Sequence, residues 1–264
     1  MRLLQFFLIM ILMSGTAAAN NAVITLGKTI DVPDRTVSFE NQTFEITDIG
    51  NYRTNQDISF TVDAPGTDEM LVVLYDRDKI STWFKRFYNT SGRVVATIPG
   101  NKTSEAGTYV FAVSYQRNII GAIPVVISDY DLSVSPKSRK VTAGKPLDVE
   151  VKINKNGVPV SVDGTVKVVL VRGSSSIDAN ATASGTGIYE AHINIPLPMN
   201  GTYSLYSAIT TERKVYMNYP EMTGVENGGI VEILPPSAEK TPFLNGIVAM
   251  IILLAVVLLK RKKL

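Results

Sequence analysis

The sequence predicts an all-β protein made of two tandem β-sandwiches and one C-terminal transmembrane helix. Three observations support this prediction: segments in which apolar and polar residues alternate strictly, a Gly-Thr-Tyr tripeptide that occurs twice, and a long apolar segment followed by four cations. Alternation with a period of two is typical of strands with one buried and one solvated face, and Ile58–Asp63 and Leu147–Ile153 both show it.

Residues 1–19 have the pattern of a signal peptide. Arg2 supplies a positive start, Leu3–Met13 an apolar run, and Ala17–Ala19 the small residues that a signal peptidase requires. An uncleaved N-terminal anchor is the alternative, but the apolar run is short for a membrane span. We therefore expect cleavage near Ala19 and export of the rest of the chain.

Residues 243–259 form the predicted transmembrane helix. Apart from one asparagine and one glycine, Phe243–Leu259 is apolar, and its length is at the short end of the roughly 17–25 residues that span a bilayer. A buried core helix is the alternative, but the basic tail 260–264 is typical of the cytoplasmic side of a span. We therefore expect a single-pass cell-membrane protein, with everything from Asn20 to about Thr241 extracellular.

The charge and the cysteine content exclude several classes of function. The formal net charge is +2, but Arg2 and the four tail cations supply five of the positive charges, which leaves −3 for the remaining exported part. A mildly acidic surface without a basic stripe argues against a nucleic acid partner. The chain has no cysteine, so it has no disulfides, thiolate metal sites or cysteine nucleophiles. No cofactor is expected.

Two further strands are predicted to be apolar on both faces. Met70–Tyr75 and Val166–Val171 are almost continuously apolar, as expected of central strands in a sandwich. Turn sequences rich in Gly, Pro, Asn and Asp separate the strands. Only Lys79–Phe87 is compatible with one or two turns of helix.

The strand pattern occurs in two copies. Gly107-Thr108-Tyr109 follows another strand-leading glycine by 15 residues, and Gly201-Thr202-Tyr203 follows its counterpart by 14 residues. Each copy is preceded by one of the strictly alternating strands. This repeat predicts two domains, 20–128 and 129–234, with the boundary near Ile127–Ser133.

This arrangement resembles the immunoglobulin-like sandwich over about residues 43–235. In that family a glycine or alanine two positions before a tyrosine makes the turn into a strand, and the tyrosine hydroxyl bonds back to the backbone of the corner. The resemblance implies that Tyr109 and Tyr203 are such tyrosine corners. It also places apolar residues where antibody domains carry their disulfide, Phe111 and Leu205 on one strand and residues such as Phe60 and Val149 on the other.

Two segments lie outside the repeat. Residues 20–42 have no counterpart in the second copy, and we expect them to add one or two N-terminal strands to the first domain. Residues 235–242 are rich in proline, which cannot continue a strand ladder. They are expected to form a short stalk above the membrane.

The exported part carries five N-x-S/T sequons, each in or beside a predicted turn. We expect at least one of them to carry a glycan. The acceptor residues are Asn41, Asn89, Asn101, Asn180 and Asn200.

No catalytic constellation is visible in the sequence. The only histidine, His192, lies on the polar face of an alternating strand, where a solvated residue is expected in place of a ligand or general base. An exported hydrolase would need an acid–base pair that the sequence does not place. Asp129 and Asp131 at the predicted boundary are weak candidates for a Ca²⁺ site that stiffens the tandem. Solvated turn carboxylates are the favoured interpretation.

The layout of the C-terminus also resembles archaeal cell-surface proteins of the S-layer-associated type, whose tails carry a Pro-Gly-Phe sorting motif before an apolar helix and basic residues. Here Thr241-Pro242-Phe243 has the proline and the phenylalanine without the intervening glycine. Bacterial wall-sorting signals have a similar layout after L-P-x-T-G, and Leu234–Ala238 departs from that motif at two critical positions.

The sequence therefore predicts a surface-anchored, glycosylated envelope protein with a structural or adhesive role and without catalytic activity. The membrane is its partner through Phe243–Leu259, and other envelope proteins or glycans are its expected ligands. The alternative is an extracellular accessory or ligand-binding subunit of a larger membrane complex.

Overall fold

A computed structural model describes residues 22–40, 42–216 and 219–236, and these residues lie in β-strands or in the turns between them. The strands of the first half are β1 (Val23–Leu26), β2 (Thr29–Phe39), β3 (Gln42–Arg53), β4 (Ile58–Asp63), β5 (Glu69–Tyr75), β6 (Ser81–Tyr88), β7 (Arg93–Ile98), β8 (Gly107–Tyr115) and β9 (Asn118–Ser128). A 3-10 turn, Gly100–Lys102, precedes β8.

The strands of the second half are β10 (Asp131–Pro136), β11 (Lys140–Thr142), β12 (Pro146–Lys155), β13 (Val158–Pro159), β14 (Thr165–Arg172), β15 (Ser175–Asn180), β16 (Thr182–Gly185), β17 (Ile188–Asn194), β18 (Gly201–Val215) and β19 (Tyr219–Leu234). Within the described ranges no helix is long and apolar enough to span a membrane. The predicted signal peptide, transmembrane helix and basic tail (1–19, 243–259 and 260–264) lie outside these ranges, as does the stalk beyond Pro236.

The strands form four sheets, two in each half. The first outer sheet has the order β1-β4-β7 and the first inner sheet the order β2-β3-β9-β8-β5-β6. The second inner sheet has the order β11-β19-β18-β14-β15, and the second outer sheet β10-β12-β17-β16 with β13 beside β12. Among the described residues no strand of the first half pairs with a strand of the second.

The two halves share one strand order. In the outer sheets, β1-β4-β7 of the first half corresponds to β10-β12-β17 of the second. In the inner sheets, β3-β9-β8-β5-β6 corresponds to β11-β19-β18-β14-β15. In each half one pairing is parallel, β3 with β9 and β11 with β19. Strands β8 and β18, which begin at the two Gly-Thr-Tyr copies, occupy equivalent places.

Each half encloses an apolar core between its outer and inner sheet. In the first core Phe60 on β4 and Phe111 on β8 pack with their ring centroids 4.8 Å apart. In the second core the corresponding positions hold Val149 and Leu205, both buried. In both halves these two positions are thus buried in the core that the outer and inner sheets enclose.

A third apolar cluster lies between the two inner sheets and packs the halves against each other. On β14, alternate residues point into the second core, whereas Val169 and Val171 point into this third cluster. The first half contributes Ile30 and Val32 of β2 together with side chains of β3 and β9. The continuous apolar run on β14 is therefore explained by burial of both faces of the strand. One face packs in the core of its own half, and the other packs against the first half of the molecule.

The structure extends one sequence-based expectation and contradicts another. The N-terminal residues form β1 and the long β2–β3 hairpin, and this hairpin packs against the second half as well as the first. The prediction of helical turns over Lys79–Phe87 is wrong, because Ser81–Tyr88 is strand β6 at the end of the first inner sheet. Residues four apart share a face in a helix and in a strand alike, so the spacing of Trp83 and Phe87 fits both structures.

Candidate functional site

Both Gly-Thr-Tyr turns hold an arginine that lies at or just beyond the end of corresponding strands, β5 and β14. Arg77, after β5, donates a hydrogen bond from Nη1 to the carbonyl of Ala106 at 3.2 Å. Arg172, at the end of β14, donates one to the carbonyl of Asn200 at 2.9 Å. Each acceptor precedes the glycine of a Gly-Thr-Tyr copy.

The glycines of these turns make room for charged groups. A Cβ on Gly107 would lie 2.5 Å from a carboxylate oxygen of Glu221, and one on Gly201 would lie 2.6 Å from Nη1 of Arg172. Both glycines also have positive φ angles, +146° and +96°, which side chains rarely adopt. Glycine is therefore required at both positions, because a side chain would clash with the charged group and because other residues rarely adopt these φ angles.

The two predicted corner tyrosines differ in their surroundings. The Tyr109 hydroxyl donates a hydrogen bond to the carbonyl of Glu105 at 3.0 Å. Burial, reinforced by the Glu105 carboxylate, raises the pKa of Tyr109 to about 12, which keeps the phenol protonated as a donor. The Tyr203 ring lies beneath the Arg172 guanidinium, 5.7 Å from its centroid.

The first corner is also the place where the second half docks. The β18–β19 hairpin extends beyond its own sheet and reaches the turn after β5 and the start of β8. We call this contact the joint, made by Asp76–Asp78 and Thr108 of the first half and by Arg213–Tyr216 and Glu221–Met222 of the second.

Backbone and side chains are tightly paired at the joint. Thr108 donates a hydrogen bond to the Met222 carbonyl at 3.1 Å and accepts one from the Met222 amide at 2.8 Å. Arg77 lies 3.3 Å from the Glu221 carboxylate, and the Glu221 side chain is only 4% exposed. The Tyr216 hydroxyl bonds the carbonyls of Tyr75 and Asp76, and its burial raises the pKa of that phenol.

A small apolar cavity lies beside the joint. It is lined by side chains of the β2–β3 hairpin, of β8 and β9, and of the β18–β19 tip, among them Phe39, Val110 and Tyr216. Its volume of about 70 Å³ is half of the ~150 Å³ that admits a benzene ring in an engineered protein cavity. The space is therefore smaller than a cavity that admits a benzene ring.

The two weak calcium candidates are each paired with a cation. Asp129 lies 2.5 Å from Nζ of Lys155, and Asp131 lies 3.0 Å from a guanidinium nitrogen of Arg53. The two carboxylates thus serve separate ion pairs and do not converge. Among the described residues no group of three or more acidic or histidine side chains is arranged to hold a metal ion.

His192 lies on the exposed face of β17. Its Nδ1 lies 2.6 Å from a carboxylate oxygen of Asp148, and this hydrogen bond is the main cause of a lowered pKa at Asp148. Lys137 approaches the same carboxylate at 3.7 Å. The three residues form a network of polar contacts on the surface.

Four of the five predicted glycan acceptors lie in the described ranges, and all four are exposed: Asn89, Asn101, Asn180 and Asn200. Asn41 lies outside those ranges. Asn89 is in the turn after β6 with a positive φ of 52°, and the hydroxyl of Thr103 in the Asn101 sequon is buried against the Gly100 carbonyl at 2.9 Å.

The first inner sheet ends in an exposed strand, β6. Its Phe84 and Tyr88 side chains are 70% and 66% exposed, the largest aromatic surfaces that the described residues offer to solvent. On its other face Trp83 and Phe87 pack edge-on against Phe60, with ring centroids 6.2 and 6.5 Å apart. The strand is thus anchored on one face and presents aromatic groups on the other.

Sequence analysis did not identify the joint or β6 as functional surfaces. A signal for the arginine pair existed: Arg77 and Arg172 each follow a continuously apolar strand and stand about 30 residues before the glycine of a Gly-Thr-Tyr copy. No comparable signal marked Glu221, because its contact with Arg77 joins residues 144 positions apart.

Comparison with known proteins gives distant structural similarity only. No family model and no curated protein matches the chain. It is similar to a DUF4785 family protein from Legionella pneumophila, with a TM-score of 0.43 and 11% identity over 81% of this chain and 62% of that one. It is also similar to the Escherichia coli adhesin FdeC, with a TM-score of 0.30 and 10% identity over 81% and 64% of the two chains. The chain therefore spans less than two thirds of the length of either protein.

Proposed function

We propose that this chain is an exported, membrane-anchored protein of the cell envelope with a structural or adhesive role and no catalytic activity. Phe243–Leu259 would hold it in the membrane, 260–264 would lie in the cytoplasm, and the described strands would stand outside on the stalk 235–242. The layout of this anchor resembles that of archaeal cell-surface proteins, which is the source that we propose.

We further propose that 20–128 and 129–234 are two immunoglobulin-like domains. Three observations support this: the strand order common to both halves with its one parallel pairing, the Tyr109 hydroxyl bonded to the corner backbone, and the Phe60–Phe111 contact at the place of the antibody disulfide.

The observation that carries the structural or adhesive role is the way the two halves are joined. A buried apolar cluster and the joint hold them as one body, whereas tandem domains linked only by a short segment move independently by default. A locked pair holds the exposed surfaces of its two halves at a fixed distance and angle from one another. Such a fixed arrangement is useful in a scaffold or an adhesin. The polar groups of the joint contribute to it by holding the two halves together.

The alternative, an accessory or ligand-binding subunit of a larger membrane complex, is favoured by one observation. Strand β6 is open along one edge and carries exposed aromatic side chains, which single-chain proteins usually cover or replace by charges. A subunit would use such an edge against a permanent neighbour, whereas an adhesin would use it against an external ligand.

Two measurements on the protein extracted from its own membranes test these proposals. The intact mass should correspond to a chain that starts near Asn20, retains the basic tail and carries additional sugar. A mass that corresponds to a chain ending near Pro242 with an added lipid or wall fragment would show that the helix is a sorting signal. The native mass in mild detergent should be that of this chain alone or its oligomer, and a stoichiometric second protein would establish the alternative.

Glycosylation is tested at single residues. Replacement of Asn89, Asn101, Asn180 or Asn200 by glutamine should lower the intact mass by one glycan for each occupied sequon. The same measurement on Asn41→Gln tests the fifth. An unmodified wild-type mass would leave all five sequons without a role.

A further inference from the structure

Strand β6 has a regular, unoccupied edge. It pairs with β5 from Tyr88 opposite Glu69 to Trp83 opposite Leu74 without a shift in register, and a bulge follows only at Tyr75. Within the described residues no strand pairs with its other side. Alternate backbone amides and carbonyls therefore point outwards at the regular spacing of an antiparallel ladder, which is the template for adding one more strand.

The side chains of β6 suit a partner strand on its outer face. Phe84 and Tyr88 point to the same side, with Arg86 between them, and both rings are largely exposed. Because Trp83 and Phe87 are packed against Phe60 on the opposite face, the strand does not have to become ordered when it binds. Exposed aromatic side chains on a rigid strand provide apolar contact area at low entropic cost.

The charge of the edge selects among partners. Lys85 and Arg86 occupy the middle of β6, and Ser81–Tyr88 contains no acidic residue. Glu69 on the neighbouring strand lies 3.8 Å from Arg86, but both side chains are exposed, so this pair neutralises the edge weakly. Two cations against one neighbouring carboxylate leave an excess of positive charge on this part of the edge.

This charge argues against a second copy of the same edge as the occupant. An antiparallel pair of β6 strands aligned at their centres would bring four cations into one short stretch of the ladder with no acidic residue in either strand to offset them. Like charges at facing positions destabilise a strand pair, and cations on an edge are a common means of preventing self-association. The same cations favour an acidic segment.

We propose that the free edge of β6 binds an extended segment of another protein, in which acidic and apolar residues alternate, by adding it as a seventh strand to the first inner sheet. Backbone hydrogen bonds would supply the pairing, and the acidic side chains would lie on the face that carries Lys85, while Arg86 on the opposite face adds to the positive charge of the edge. The apolar side chains would cover Phe84 and Tyr88. This inference adds a ligand class to the proposed adhesive role, and its ligand-binding part does not depend on how the chain is anchored.

Three synthetic peptides test the proposal with purified full-length protein in mild detergent. The first is an octapeptide of alternating valine and glutamate, the second replaces each glutamate by lysine, and the third is the glutamate peptide with N-methyl groups on alternate amides. Trp83, the only tryptophan, lies on β6 and reports binding through its fluorescence. We expect the glutamate peptide to bind at least about tenfold more tightly than either of the other two.

Variants of the protein complete the test. Lys85→Glu combined with Arg86→Glu should reverse the preference, so that the lysine peptide binds more tightly than the glutamate peptide. Phe84→Ser should lower the affinity for the glutamate peptide about tenfold. Leu197→Ser, at a similarly exposed apolar side chain of the second half (64%), is the matched control and should bind as the wild type does.

Several outcomes would overturn the proposal. Equal affinity for the N-methylated peptide would show that charge alone attracts the probe, without strand addition. Absence of binding by the glutamate peptide would exclude this ligand class, and concentration-dependent dimerisation abolished by Phe84→Ser would identify a second copy as the occupant. None of these results would contradict the anchored envelope protein, whose intact mass they leave unchanged and whose expected native mass is that of one chain or its oligomer, so the two proposals fail separately.

Discussion

Arg77 and Glu221 lie 144 residues apart in the chain, yet the Arg77 guanidinium approaches the Glu221 carboxylate to 3.3 Å at the joint between the two halves. The Glu221 side chain is almost completely buried and the Arg77 side chain is partly exposed. Arg77 also donates to the Ala106 carbonyl, so one side chain connects the first Gly-Thr-Tyr turn with the second half of the molecule.

Removal of the arginine should therefore be costly. Arg77→Met leaves the buried Glu221 carboxylate without its cation, and we expect the free energy of unfolding to fall by about 3 kcal/mol. The measurement is urea unfolding of the full-length protein in mild detergent, followed by the fluorescence of Trp83. Arg172→Met, which removes the equivalent arginine where no buried carboxylate depends on it, should cost about 1 kcal/mol.

A double variant separates the ion pair from simple loss of packing. Arg77→Met with Glu221→Met removes both charges, and most of the lost stability should return because no buried charge remains unpaired. If the double variant were as unstable as the two single variants added together, the pair would have no energetic coupling and would not be the connection between the halves.

Gly107 should resist substitution more strongly than Gly157, another glycine with a positive φ angle. Gly107→Ala places a methyl group 2.5 Å from a Glu221 oxygen and also strains the backbone, and we expect a loss of about 2 kcal/mol. Gly157, with φ +78° and no atom within 4 Å of an added Cβ, is the matched control, and Gly157→Ala should cost about 1 kcal/mol. Equal losses at the two positions in urea unfolding would show that the contact with Glu221 has no influence.

The hydroxyl of Tyr109 should contribute to stability, whereas that of Tyr203 should contribute little. Tyr109→Phe removes the hydrogen bond from the phenol to the Glu105 carbonyl, which should lower the free energy of unfolding by about 1 kcal/mol. Tyr203→Phe retains the ring beneath Arg172 and should change stability by less than about half of that amount. Chemical denaturation of the two variants side by side measures the difference, and the reverse order would contradict it.

Asp48 should make the folded state less stable at neutral pH. Burial raises the pKa of the Asp48 carboxyl, and the negative charge of Asp31, directly opposite on β2, raises it further. A hydrogen bond with Thr29 acts in the other direction and lowers it in part. A carboxyl with a raised pKa in the folded state supports folding fully below its unfolded pKa, and this contribution is lost as the pH rises through the folded value.

Asp48→Asn should therefore raise the Tm at pH 7, and the difference from the wild type should shrink as the pH falls through the acid range where Asp48 becomes protonated. Thermal unfolding across a pH series is the measurement. Asp63→Asn, at an exposed carboxylate 3.6 Å from Arg93, is the control and should show no such gain. An equal gain at every pH would mean that titration of Asp48 is not the cause.

The third apolar cluster should be needed for the halves to remain docked. Val169→Asp puts a charge between the inner sheets, which is unfavourable enough to separate them. We expect a protease specific for acidic residues to cut rapidly after Asp129 or Asp131 in this variant and slowly in the wild type. Val158→Asp, at an exposed position, is the control. Equal cleavage rates in the wild type and Val169→Asp would show that the cluster does not hold the halves together.

The sequence by itself determined the all-β class and most strand positions, because burial of one face imposes a period of two on the local residues. Strand β4 has the predicted bounds, and the two Gly-Thr-Tyr copies begin β8 and β18 as expected of a repeat. Such signals are local, and each needs only a few neighbouring residues. The signal peptide, anchor and sequons remain predictions from the same kind of local pattern.

Only the tertiary structure decided which surfaces are occupied and which are free. The partners at the joint are far apart in sequence, and a single glutamate such as Glu221 has no pattern that names its cation. The β6 segment shows the same limit: Trp83 and Phe87 fit a helix or a strand equally, and pairing with β5 selects the strand. Whether an apolar or charged side chain is used in packing depends on what the rest of the chain brings against it, which no local period records.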